Sequence, residues 1–200
     1  MIKKKIIKFL DKKRIFLSLP KEMESFVLPI LIDTKKYNEL YYFNQNIFFN
    51  LWNDVSKNSF LINYVLPNED IEDFSIIKKN IGDIENYNFN EIFNKYNVKN
   101  RILLVLLNQD NLLKVFSKLN LENNEMYINK NFKDVSMKNL DQINDAILDL
   151  KNDYENKWKS LNEINTSIIL PIRLSVDSNN FLLSNNLENY LNEVDLISNY

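Results

Sequence analysis

The chain has 200 residues, 45% of them hydrophobic and 26% charged, with a formal net charge of −2; this is enough to bury a core in one domain or two small ones and gives no bulk attraction to nucleic acid or anionic lipid. Cys and His are absent, which excludes disulfides, thiolate nucleophiles, Cys-ligated zinc, histidine triads and zinc-protease sites. Gly82 is the only glycine, so a phosphate-cradling P-loop and a dinucleotide-binding glycine fingerprint are excluded as well.

The first twenty residues, MIKKKIIKFLDKKRIFLSLP, are basic but contain no apolar run of signal-peptide length. Ile2, Ile6, Phe9 and Leu10 recur at helical spacing, predicting an amphipathic helix that either docks on the protein or lies on a membrane surface. FVLPILI (26–32) reads as a strand, NIFFNLWNDV as a helix with Ile47, Leu51 and Val55 on one face, and FLINYVLP (60–67) as the next strand. IEDFSIIKKNI and FNEIFNKY read as helices. RILLVLL (101–107) follows, an apolar run suited to a strand covered on both faces. LLKVFSKL and EMYINKNF flank the turn-prone NLENN and predict a hairpin.

The longest predicted helix follows, with Met137, Leu140, Ile143, Ile147, Leu150, Tyr154, Trp158 and Leu161 in three- and four-residue steps. SIILPIRLSV (167–176) then reads as a strand, FLLSNNLENYLNEV as a helix, and DLISNY as the start of an unfinished element. No segment approaches the roughly 20 apolar residues of a transmembrane helix. The expected fold is α/β (mixed α+β): one mixed sheet flanked by helices over residues 1–163, with a truncated C-terminal strand–helix extension over 164–200.

The stretch VLPNEDIEDF (65–74) holds the densest group of candidate chemical residues. A strand ending at Pro67 and a helix starting near Ile71 put Asp70 at the N-cap and Asp73 at the acidic position of a capping box. Glu72 and Asp73 also favour the positive end of the helix dipole. The same residue types suit a carboxylate-dependent metal hydrolase, with Asp70 and Asp73 on one helical turn holding Mg²⁺ jointly with Asp83. Gly82 reads as a left-handed helix terminator. Trp52 and Trp158 read as core anchors on apolar stripes, or, if they face outward, as a partner site. The basic N-terminus lacks interleaved aromatics, so no nucleic-acid partner is expected, and no cofactor is expected either.

In order, VLPILID, LYYFNQNIFFNLW, PNEDIED, IGD, IFNKYNVKNRILLVLL and a later helix carrying NKWK resemble a proteobacterial family known as domain of unknown function number two thousand and sixty-six. Asn46, Phe48 and Trp52 fall on its Asn-x-Trp-xxx-Trp spacing. Pro67, Asp70 and Asp73 fall on its Pro-xx-Asp-xx-Asp spacing, and Gly82, Asp83 and Tyr96 match as well. Phe48 stands where the family has Trp, Ile47 where it has Pro, and Glu69 and Asn97 where it has Gly. The helix–Tyr–strand–hairpin portion resembles, more loosely, the N-terminal domains of periplasmic propeller and curli-secretion lipoproteins. The resemblance implies an exported envelope protein without an established activity that contacts another envelope protein, and a natural reading frame extending beyond both ends of this chain. The leading expectation is therefore a non-catalytic binding or scaffold domain of the bacterial cell envelope. The metal hydrolase and a cytoplasmic protein held at a membrane surface by its basic N-terminal helix are the alternatives.

Overall fold

The computed structural model describes residues 21–36, 39–55, 60–109, 111–162, 186 and 189–191. The chain divides into two compact units, one of them Pro20–Leu161. In the other unit, residues 1–19 with 162–200, Asn186 and residues 189–191 are helical. The expected N-terminal amphipathic helix, the strand at 167–176 and DLISNY lie outside the described residues.

The Pro20–Leu161 unit is an α+β fold built on one mixed six-stranded sheet. Its strands are β1 (Met23–Asp33), β2 (Glu39–Tyr41), β3 (Ile62–Val65), β4 (Asn100–Gln109), β5 (Leu112–Leu121) and β6 (Asn124–Lys133). Its helices are α1 (Ile47–Leu51), α2 (Ile71–Lys79), α3 (Asn90–Phe93) and α4 (Leu140–Leu161). β1 and β4 run parallel at the centre, and β4, β5 and β6 follow as antiparallel neighbours. On the other side of β1, β3 pairs in parallel with Met23–Phe26 and β2 pairs antiparallel with Leu31–Asp33. Parallel neighbours need crossovers: α1 lies in the connection from β1 to β3, and α2 and α3 in that from β3 to β4.

Each face of the sheet has its own core. Val27, Leu31, Ile102, Leu104, Leu106, Leu113, Val115 and Leu119 pack with Phe48 and Trp52 near α1 and with Ile143, Ile147, Leu150, Tyr154 and Trp158 of α4. Phe26, Leu28, Ile30, Ile32, Leu103 and Val105 pack on the opposite face with Ile77 of α2 and Phe89, Ile92 and Phe93 around α3. β4 is buried from Ile102 to Leu106 because both layers cover it. The α4 stripe is buried at its centre, whereas Leu140 at its start is 53% exposed. No helix among the described residues is long and apolar enough to cross a membrane.

Pro29 sits inside the central strand β1, opposite Leu104, a position where a missing N–H ordinarily breaks a ladder. It falls in the gap between the stretches of β1 paired by β3 and β2, and its carbonyl accepts a 3.1 Å hydrogen bond from Asn46 Nδ2. The Asn46 side-chain oxygen accepts from the N–H groups of Phe48 and Phe49, so one buried amide fills a sheet gap and caps α1.

Several elements depart from the sequence reading. The expected helix over residues 46–55 closes after Leu51 into a turn. β2 was not anticipated, since three residues carry too little periodicity to register. The hairpin turn is the residue pair Glu122 and Asn123, with φ of 48° and 66°, matching the right-handed twist of its strands.

Candidate functional site

Asp70 caps α2, its Oδ1 accepting at 2.8 Å from the N–H of Glu72, as the sequence implied. Asp73 does not complete a capping box. Its side chain is fully buried and accepts a 2.6 Å hydrogen bond from Lys95 Nζ, which also reaches Asp70 Oδ2 at 2.6 Å. The Asp73 side chain serves the ion pair rather than the cap because a buried carboxylate needs a counter-charge. Hydrogen bonding to Lys95 holds the Asp70 carboxyl below its ordinary range. Burial pushes the Asp73 carboxyl up, against the pull of Lys95. The Lys95 amine is raised by Asp70 and then by Asp73. Beside this pair Tyr96 stacks on Phe26, with ring centroids 4.3 Å apart, and its hydroxyl accepts from the N–H of Asn68.

Asp83 is not brought to this pair. It is exposed at the end of a 3-10 turn over Ile81–Asp83 and accepts from Asn86 Nδ2 at 2.7 Å. Among the described residues, no three Asp, Glu, His or Cys side chains are grouped to hold a metal ion. Gly82 is not left-handed, as no glycine has a positive φ. Asn80 closes α2 instead, its N–H and side-chain amide both donating to the Ile76 carbonyl. A Cβ at position 82 would meet no atom within 4 Å apart from its chain neighbours.

On the opposite face Trp52, Trp158 and Phe48 are buried in the core, and Trp158 Nε1 donates to the Lys21 carbonyl at 2.6 Å. The structure adds two charged residues here that the sequence reading passed over. Lys151, only 2% exposed, donates to the carbonyls of Trp52 and Val55 at the C-terminal end of α1, where a cation suits the helix dipole. Its ammonium lies over the rings of Tyr64, Trp52 and Phe60 at 4.9, 5.4 and 6.0 Å. Burial pushes the amine down to about 8. Glu155, one turn on, accepts from the N–H groups of Leu61 and Ile62 at 2.7 and 2.8 Å, ending the segment that enters β3. A signal was present: Ile147, Lys151 and Glu155 follow four-residue steps, so both charges lie beside the apolar stripe rather than opposite it.

The α2 and α3 layer covers β1 and β4, and among the described residues of the hairpin only the half-buried Phe116 packs against that core. On that side β5 and β6 show Lys114, Phe116, Lys118, Tyr127 and Asn129. Phe116 and Tyr127 have ring centroids 6.0 Å apart, and Tyr127 is 52% exposed. Lys118 lies over the Tyr127 ring and pairs at 3.2 Å with Glu125, to which the Tyr127 hydroxyl also donates.

No protein-family model and no curated protein matches the chain.

Proposed function

We propose that this chain is a non-catalytic binding or scaffold domain of the bacterial cell envelope that holds a protein partner on the open face of its β5–β6 hairpin. The observation carrying the binding role is Tyr127, 52% exposed beside the half-buried Phe116 at the margin of the helix layer and bordered by Lys114 and Lys118. Exposed aromatic rings are enriched at protein contact surfaces, whose rim is polar. The non-catalytic reading draws on how the buried charges are used. Asp73 and Lys95 answer each other, Lys151 answers backbone carbonyls, and Glu155 answers backbone N–H groups. The envelope setting rests on the family resemblance alone. The test is affinity purification of the intact protein from its own cells beside Tyr127→Ala, with fractionation of the same cells. An envelope partner recovered with the wild type and lost with a variant of unchanged Tm is the expected result. A partner held equally by both, or a product confined to the cytoplasm, overturns the reading.

A further inference from the structure

β6 is ten residues long, pairs with β5 without a bulge along its whole length, contains no proline, and among the described residues has no strand on its outer side. Edges of that length are usually shortened, bulged or covered. In a hairpin with a two-residue turn the flanking residues, here Leu121 and Asn124, exchange backbone hydrogen bonds. Alternation then points the backbone groups of Glu125, Tyr127, Asn129, Asn131 and Lys133 outward, at the open edge.

We propose that this edge pairs with the same edge of a second copy, antiparallel about a two-fold axis at Asn129. The strand is complementary to itself in that register. Glu125 faces Lys133 of the other copy twice over, Tyr127 faces Asn131, and Asn129 faces Asn129. On the side facing α4, Met126 faces Phe132 and Ile128 faces Lys130, which extends a row already packed on the core. A charge pointing inward from an edge strand normally discourages pairing. Lys130 is neutralised here by Asp149 and Asp153, at 2.6 and 2.7 Å. Opposite charges directly across antiparallel strands are favourable and like charges are not, and a two-fold axis makes each such pair count twice. The pairing uses the strand's edge, whereas the partner surface above uses its face, so each stands or falls separately.

The decisive experiment exploits the absence of cysteine from the chain. Asn129→Cys in the full-length protein puts two thiols across the axis at the separation of a directly paired position, within disulfide range, and mild oxidation is expected to give a covalent dimer. Tyr127→Cys, two residues off the axis, is expected not to link to itself. Sedimentation equilibrium of the wild type is expected to show a dimer, weakened about tenfold or more by Lys133→Glu and restored by adding Glu125→Lys. Thermal melts of each variant check that it is folded. A wild type monomeric at every concentration, as when the chain's own C-terminal segment or a different protein occupies the edge, overturns the proposal. So does a disulfide at Tyr127→Cys that forms as readily as at Asn129→Cys, or a double variant no tighter than Lys133→Glu alone.

Discussion

Lysines on opposite faces of the same sheet are held by opposite means. Lys151, on the α4 face, is enclosed by three aromatic rings and donates to neutral carbonyls, and burial drives its amine down to about 8. Lys95, on the α2 face, is one-third exposed and lies between two carboxylates, which drive its amine up. Dipoles and ring faces steady a cation without supplying a counter-charge, so burial dominates at Lys151, while at Lys95 Coulomb attraction dominates. A lysine is therefore tolerated in this fold under a helix C-terminus or beside a buried acid, and the two arrangements respond to pH in opposite directions.

The largest effect is expected from the core that supports the Lys151 side. Trp158→Ala leaves a cavity beneath α4 and should lower stability by about 3–5 kcal/mol in urea unfolding. A midpoint that hardly moved would mean that the α4 face is held by something other than its buried aromatics. Next is the pH response of Lys151. A lysine whose folded pKa is depressed binds its proton more weakly folded than unfolded, so stability rises with pH between about 8 and the ordinary 10.5. Measured against Lys151→Met, the wild type should gain up to about 3 kcal/mol across that window. A flat difference would show that the carbonyls and rings offset burial fully.

The Lys95 side should respond at acid pH instead. Lys95→Met strands the buried Asp73 without its cation and should cost roughly 1–2 kcal/mol at neutral pH, discounted for the exposure of Lys95. A carboxyl with a raised folded pKa gains stability as pH falls through that pKa, so the deficit should narrow in acid. Urea titrations at pH 7 and pH 4 measure it, and a deficit that widened in acid would contradict the ion-pair account. The smallest effect is expected from Asp70→Ala, which removes a cap and one Lys95 contact from a half-exposed site. Because the Asp70 carboxyl is depressed, its contribution is present at neutral pH and lost as pH falls. A small drop in Tm at pH 7 that shrinks as the pH falls below the ordinary carboxylate range is the expected result.

The candidate site was partly legible. Asp70 as a cap followed from the chain's polarity change after Pro67, because a cap depends on residues within one turn. The destination of Asp73 was not legible, since its partner Lys95 is 22 residues away and nothing local distinguishes that lysine from its neighbours. Asp83 illustrates the converse. Spacing allowed it to join the acidic pair, and the chain path after α2 carries it elsewhere. Gly82 was assigned a left-handed backbone from its residue type, but Asn80 had already ended the helix.

By itself the sequence determined the central strands β1 and β4, the β5–β6 hairpin and the long amphipathic α4, because hydrophobic period and turn chemistry act over a few residues and need no distant partner. The tertiary structure alone decided that a three-residue β2 would join β1, that Asn46 would serve the Pro29 carbonyl, that Lys151 and Glu155 would be buried, and that the outer side of β6 would have no strand beside it among the described residues. Each of these depends on which groups meet across the sheet, and a polar group's free energy is set by the partner it meets there rather than by its neighbours in the chain.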